Sequence, residues 1–318
     1  MLFSVKVILI ILLVLFVIFG VFFLIGPGWY LLYSPKVKPV QLDHSVDEYV
    51  KLKESQYSNI KPNNQSHVNW INVDQGKTHY SIVYLHGFSA SPKEISPVIE
   101  TVSENLKINS YFPRLSSHGL ENNLMETLTS DQLFQDAEEA YYIGKAIGEK
   151  VILVGTSTGA SLALWLTARH QDLAGVVLIS PNFGINSWKG ILAAGPLGSL
   201  VARLLAGPYL GWIPKYPEQV KYWTTRYSVN SVRAMTDIVR EIETIDFEKI
   251  RTPSLTLWTA QDKVVNIRKS ISILKKMGSS KNNFEEFNTP NHVLAGAITT
   301  PENVPRAIET VTRFIKNL

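Results

Sequence analysis

The sequence predicts an α/β fold: a mostly parallel sheet with helices on both faces, a helical cap insertion, and an N-terminal transmembrane helix ahead of it. Three observations carry this. Strand-like runs at 68–73, 80–85, 109–112, 151–154, 175–180, 254–259 and 284–287 are separated, in most cases, by helical stretches at about 92–106, 131–148, 158–170 and 264–277, with a last one at 304–317. Strands alternating with helices imply parallel pairing and a sheet covered on both sides. At Val151–Gly159 an apolar run breaks into Gly155-Thr156-Ser157-Thr158-Gly159 and then into a helical pattern. Between Pro181 and Pro253 no strand is evident. That interval is too long for a simple crossover, so it reads as an insertion over the carboxyl ends of the strands, where open sheets bind ligands.

Taken in order, residues 1–33 read as the anchor. From Val7 to Ile25 run 19 uncharged and almost wholly apolar residues, and no charge follows until Lys36. About 20 such residues in a helix span the hydrocarbon of a bilayer. Trp29, Tyr30 and Tyr33 sit where aromatic rings favour the headgroup region. A cleaved signal peptide would have a shorter apolar region ending at small residues, so the expectation is a retained single-pass anchor that meets membrane lipid through residues 7–25. Lys6 and the terminal amine oppose Lys36 and Lys38, which leaves open the side on which the main domain lies. Residues 34–67 turn polar, with Pro35, Pro39 and Pro62, and read as a tether. Within it Ser45-Val46-Asp47-Glu48 fits a capping box opening a short helix to about Gln56. Residues 68–318 form the main domain, with the cap at about 182–250.

In the cap, Trp188 to Ile213 carries only Lys189 and Arg203 as charges. Its apolar side chains either pack a small core of their own, or in part line an acyl pocket or dip into lipid, and Trp188, Leu204 and Leu205 are the candidate substrate-binding residues. Pro196, Pro208 and Pro214 break the segment into short helices, which suits a movable lid.

The chemistry starts from Ser157. The strand-to-helix turn holds its hydroxyl clear of the sheet, and the flanking glycines are steric, since a Cβ two residues to either side would clash. A serine hydroxyl needs an adjacent base. Of the seven histidines only His170 and His292 follow Ser157. His170 falls at the end of the next helix, where a helix-dipole role is expected. His292 lies in the loop Asn288-Thr289-Pro290-Asn291-His292 after a strand, the place for a mobile catalytic base. A carboxylate must then fix the tautomer of that base. Asp262 follows the buried-strand pattern Ser254–Thr259 and is the candidate, with Asp246 and Asp237 as rivals that have no strand ahead of them. The order Ser157, Asp262, His292 is that of α/β-hydrolases rather than of chymotrypsin or subtilisin. The oxyanion donors are the Thr158 N–H and the Phe88 N–H, the latter after the run Ile82–Gly87. His86 reads as structural, holding its loop by hydrogen bonding.

With these residues the chain resembles the α/β-hydrolase superfamily, in the branch of monoacylglycerol lipases, lysophospholipases and small carboxylesterases. The resemblance covers about residues 68 to 318. It rests on His86-Gly87-Phe88, on Gly155–Gly159 and on the Asp262 and His292 loops. Pro113-Arg114-Leu115-Ser116-Ser117-His118-Gly119 stands where relatives often carry Pro-Gly-His-Gly, with serines in place of the first Pro-Gly. The resemblance implies serine ester hydrolysis without a cofactor, on an ester or lipid small molecule. Acyl transfer, amide or thioester cleavage would use the same apparatus, and a non-catalytic binding protein on a hydrolase fold is the alternative of another class.

Composition excludes other chemistries. There is no cysteine, which removes disulfides, thiolate zinc sites and a cysteine nucleophile. No His-Glu-x-x-His and no Gly-rich phosphate loop occurs. The net charge is +4 and the pI about 9.0, with Lys and Arg dispersed among acids, so nucleic-acid binding has little support.

Overall fold

The computed structural model describes residues 5–17, 20, 34–184, 203–204 and 207–318. Among the described residues from 34 onward, nine strands and eight α-helices follow one another: α1 (Val46–Glu54), β1 (His67–Asn69), β2 (Thr78–Leu85), α2 (Val98–Leu106), β3 (Asn109–Phe112), α3 (Ser130–Ile147), β4 (Gly148–Thr156), α4 (Thr158–Arg169), β5 (Gly175–Ile179), β6 (Tyr209–Gly211), α5 (Gln219–Tyr222), β7 (Arg226–Ser228), α6 (Val229–Glu243), β8 (Ser254–Trp258), α7 (Ile267–Leu274), β9 (Asn282–Glu286) and α8 (Val304–Lys316). Seven of the strands make one sheet in the order β1-β3-β2-β4-β5-β8-β9. Only β1, at one edge, runs antiparallel to its neighbour; the other five pairings are parallel.

Successive residues of a strand face opposite sides of the sheet, and here both sides are apolar. Val83, Leu85, Leu153 and Leu178 join the core under α3, α4 and α6. Ile82, Tyr84, Ile152, Val154, Val177 and Leu257 join the second core, under α2 and α8. This two-sided burial is why β4 and β5 read as near-continuous apolar runs. Caps fix where helices begin: the Thr129 side chain accepts from the Gln132 N–H while the Gln132 side chain accepts from the Thr129 N–H, so α3 starts one residue ahead of the sequence reading. Ser45 caps α1 by accepting from the Glu48 N–H at 3.4 Å, and that helix ends at Glu54 rather than Gln56.

The interval between Pro181 and Pro253 departs from the sequence reading. It contains a two-stranded antiparallel ribbon, β6 with β7. Three residues per strand are too few for a period of two to show in sequence. It also contains α6, whose Ile238 and Ile242 are buried in the core shared with α4, so this part of the expected cap packs on the main body. Residues 185–202 and 205–206 of the interval lie outside the described residues.

Residues 5–17 are helical with exposed side chains. The rest of the apolar run to Ile25 falls, except for Gly20, outside the described residues, and so do Trp29, Tyr30 and Tyr33. Among the described residues no helix is long and apolar enough to cross a membrane.

Candidate active site

Four of the parallel strands end on the same edge, and each hands a functional group to the space beyond it. β4 ends at Thr156 and α4 begins at Thr158, leaving Ser157 at the corner with φ 55° and ψ −115°. A non-glycine residue at positive φ is strained, and such strain persists where the surroundings enforce it. They do so here. The Ser157 N–H donates to the Ile179 carbonyl at 2.8 Å, and the Ser157 carbonyl accepts from the Ala160 N–H at 3.0 Å. A Cβ on Gly155 would stand 2.3 Å from the Gly159 carbonyl oxygen, and one on Gly159 would stand 2.0 Å from the Leu85 carbonyl oxygen. Both contacts are with backbone, so only glycine lets α4 start this close to β2.

The loops after β8 and β9 bring a histidine and a carboxylate together. His292 Nδ1 lies 2.7 Å from Asp262 Oδ2. The other oxygen, Oδ1, accepts from the Val264 N–H at 2.8 Å and the Val265 N–H at 3.1 Å, which locks the carboxylate in place. The loops are also tied to each other, the Thr259 hydroxyl donating to the Thr289 carbonyl at 2.6 Å. Burial pushes the Asp262 carboxyl up, but His292 and the two N–H groups more than offset it and hold the group below the usual carboxylate range. Asp262 stabilises a neighbouring imidazolium most while it stays ionised. The Ser180 hydroxyl donates to the His292 carbonyl at 2.6 Å, while Asn182, two residues on, donates its N–H to the Ser157 carbonyl at 3.3 Å. One short segment after β5 therefore braces both the serine corner and the histidine loop. With Nδ1 engaged, His292 Nε2 is buried and has no hydrogen-bond partner among the described residues. An acceptor kept dry and unused is what an incoming serine proton requires, and such bonds commonly close only when substrate is bound.

The loop after β2 supplies a further group. Gly87 sits against Ser157: a Cβ built on it would lie 3.4 Å from that of the serine. His86 Nδ1 donates to the Gly87 carbonyl at 2.9 Å and Nε2 accepts from the Leu115 N–H at 3.1 Å. The Gly87 carbonyl and the Phe88 N–H belong to one planar peptide and point opposite ways, so fixing the carbonyl aims the N–H. Thr158 opens α4, where the first N–H groups have no acceptor within the helix. Burial and the nearby His118 keep His86 neutral, well below the usual histidine range, as its accepting Nε2 demands.

The sequence matches the model of the serine aminopeptidase S33 family over residues 76–296, more than half of the chain. The chain belongs to this family. It is an enzyme, a serine hydrolase of lipase- and esterase-like type. It is 23% identical over 229 residues to a thermostable monoacylglycerol lipase of Bacillus sp. (strain H-257), a match covering 72% of this chain and 88% of that one. Among solved structures, the metagenome-derived lipolytic enzymes LipS and LipT give a match with TM-score 0.67 at 18% identity, over 81% of this chain and 100% of that one. The monoacylglycerol lipase of Paleococcus ferrophilus gives 0.61 at 17% identity, over 79% and 98%. At these identities the structural likeness establishes the shared fold.

The rival assignments of the sequence find other partners. Asp246 is exposed and pairs with Lys249 at 3.0 Å, and Asp237 pairs with Arg240 at 3.0 Å. His170 stacks on Tyr141 with ring centroids 3.8 Å apart, and its Nε2 is 3.0 Å from Glu138 Oε1. At the C-cap of α4 the ring thus also meets a carboxylate from α3. Of the candidate substrate-binding residues, Leu204 is exposed, and Trp188 and Leu205 lie outside the described residues.

One group at the site escapes sequence reading. Glu94 is buried, and its Oε1 accepts from the Gly87 N–H and, at 2.8 Å, from the Tyr84 hydroxyl, which also reaches the Thr156 hydroxyl at 3.0 Å. Burial raises its carboxyl to about 7, against the opposing pull of those two donors and of His292. No motif announces it. The one signal is an acid in the 3₁₀ turn Pro92–Glu94, seven residues beyond Gly87.

Proposed function

We propose that the chain is a membrane-anchored serine hydrolase that cleaves carboxylic esters of lipid or acyl-glycerol type through a Ser157, His292, Asp262 triad and an acyl-enzyme. The observation that carries this reading is the 2.7 Å contact of His292 with Asp262, with the far nitrogen buried and without a partner among the described residues, on the strand edge that holds Ser157. Ser157 Oγ attacks the ester carbonyl carbon and its proton passes to His292 Nε2, while Asp262 stabilises the imidazolium. The tetrahedral oxyanion is held by the Phe88 and Thr158 N–H groups. Collapse expels the alcohol, which takes the proton from His292. Water, deprotonated by the same nitrogen, then releases the acid. The monoacylglycerol lipase relative supports acyl-glycerol esters as the substrate class, and the apolar segment Trp188–Ile213 supports an acyl chain of some length.

A series of p-nitrophenyl esters tests the reading. Each buried methylene contributes about 0.8 kcal/mol, or roughly fourfold, until the pocket is full. The specificity constant should therefore climb from acetate to at least octanoate, and Leu204→Asp or Leu205→Asp should flatten the climb while sparing acetate. A profile that peaks at acetate refutes the lipid assignment. The family description favours one second reading, amide cleavage with the same triad. Amino-acid p-nitroanilides turned over faster than any ester would establish it.

The anchor rests on the apolar run Val7–Ile25 and the aromatic residues after it. Full-length protein should stay with membranes through a carbonate wash, and a chain lacking residues 1–33 should be soluble and active. Release of the full chain by salt alone overturns the spanning helix.

A further inference from the structure

The loop Pro113–Gly119 is held by side chains at three consecutive backbone N–H groups. The Arg114 N–H donates to Ser66 Oγ at 2.8 Å, the Leu115 N–H to His86 Nε2 at 3.1 Å and the Ser116 N–H to Asp136 Oδ2 at 2.6 Å. The middle bond is the one that orients His86, and His86 in turn aims the peptide that carries the Phe88 N–H. The two outer bonds lead back to the segment ahead of the sheet. Ser66 Oγ donates to Glu54 Oε1 at 2.9 Å, and the same Glu54 carboxylate takes Arg114 Nε at 3.0 Å and Nη2 at 3.3 Å. Asp136 and Glu139 of α3 receive the Lys53 ammonium at 3.2 and 2.6 Å, and Tyr49 donates to Glu139 at 3.0 Å. The Arg114 guanidinium stands 4.3 Å over the Tyr57 ring. Backbone bonds from Lys61 to Gly119 and from Glu121 to Asn59 close the contact at the far end of the loop.

A flexible spacer would not take this form. The Arg114 and Glu54 side chains are almost wholly inaccessible, at 1% and 10% exposure. Breaking one partner of such a pair leaves a buried charge uncompensated, a large penalty that moves the backbone carrying it. Here that backbone is the acceptor-side support of His86.

We propose that residues 46–66 are a positioning element of the active site, in which Lys53, Glu54 and Ser66 fix residues 114–116 and thereby His86 and the oxyanion-binding N–H of Phe88. The inference rests on the reading of that N–H as an oxyanion donor. The segment between the apolar run and the sheet thus takes part in catalysis without touching substrate, so kcat depends on residues that precede the family's matched region.

The test uses the chain from residue 34 onward, alongside the full-length protein, with p-nitrophenyl butyrate as substrate. Glu54→Gln, Lys53→Met and Ser66→Ala are compared with wild type for kcat, KM, melting temperature and affinity for an alkyl trifluoromethyl ketone, which forms a tetrahedral oxyanion adduct on an active serine. The expected result is a fall in kcat of about tenfold or more for Glu54→Gln and Lys53→Met, each of which leaves buried charge uncompensated, and less for Ser66→Ala, with KM within twofold. Ketone affinity should fall by the same factor as kcat. Lys51→Ala, exposed on the same helix, should leave all four values near wild type. Should Glu54→Gln or Lys53→Met not fold, Ser66→Ala, which removes a neutral hydroxyl and leaves every charge paired, carries the test. Variants with a lowered melting temperature but wild-type kcat and ketone affinity overturn the inference, because a merely structural strap behaves so. A wild-type chain that neither turns over ester nor binds the ketone overturns the hydrolase reading itself, and this inference with it.

Discussion

Replacing Asp262 by asparagine should disable the base, His292, while leaving the backbone around it in place, and the structure sets the size of the effect. Asp262 Oδ1 accepts two backbone N–H groups while Oδ2 faces His292 Nδ1. In the variant the amide oxygen stays with the two N–H donors, so the amide NH₂ is left facing Nδ1. His292 must then present a lone pair at Nδ1 and carry its proton on Nε2, where it can no longer accept from Ser157. Flipping the amide restores the working tautomer but sets NH₂ against the N–H groups of Val264 and Val265. The Val265 N–H so orphaned is buried and costs about 1–3 kcal/mol, roughly 5-fold to 150-fold in competent enzyme, and the Val264 N–H, on an exposed residue, adds less. Loss of the charge that stabilises the imidazolium adds to this, and the expected fall in kcat is about 10³–10⁴-fold. The assay is p-nitrophenyl butyrate hydrolysis at neutral pH, with circular dichroism to verify the fold. Asp246→Asn and Asp237→Asn, whose carboxylates pair with Lys249 and Arg240, should stay near wild type. An Asp262→Asn enzyme within tenfold of wild type, or an Asp246→Asn enzyme below it, refutes the assignment.

Ser157→Ala and His292→Ala should each abolish nearly all turnover, and the double variant should lose little more, because the two act as one unit. A double variant far worse than either single points to a different base. Gly159→Ala puts a Cβ 2.0 Å from the Leu85 carbonyl oxygen, and relief requires the start of α4 to move by about an ångström. A displacement of that size costs about 10²-fold in rate, so a wild-type kcat/KM for this variant would show that the serine corner tolerates slack. Glu94 is raised to about 7 in the folded chain, so it holds its proton there while the unfolded chain releases it. Its contribution to stability is full below about pH 4.5 and is lost as pH rises through 7, a difference of about 3 kcal/mol at one pKa unit per 1.36 kcal/mol. Glu94→Gln should therefore gain melting temperature relative to wild type as pH climbs from 5 to 8. A gap that does not change with pH means that the carboxyl ionises normally.

By itself the sequence determined the alternation of strands and helices and the glycines of the serine corner. It also placed the loop positions of Ser157, Asp262 and His292, because each of these is a local matter. A parallel strand buried on both faces must be apolar throughout, a Cβ against backbone is forbidden wherever it falls, and a loop after a strand is readable from the residues on either side. The sequence also favours Asp262 over Asp246, since only the former follows a strand; in the fold Asp246 pairs with Lys249. Tertiary structure alone decided the rest. The ribbon of β6 and β7 is too short to carry a pattern, and α6 shares its amphipathic face with any cap helix until Ile238 and Ile242 are seen against α4. The His170 partner is Glu138 from another helix, 32 residues away. Glu94 meets Gly87 and Tyr84, and Glu54 meets Arg114 across 60 residues, through bonds with no fixed sequence spacing. Hydrogen bonds between side chains of different elements depend on where the chain returns in space. A linear pattern records only what each residue must do next to its neighbours.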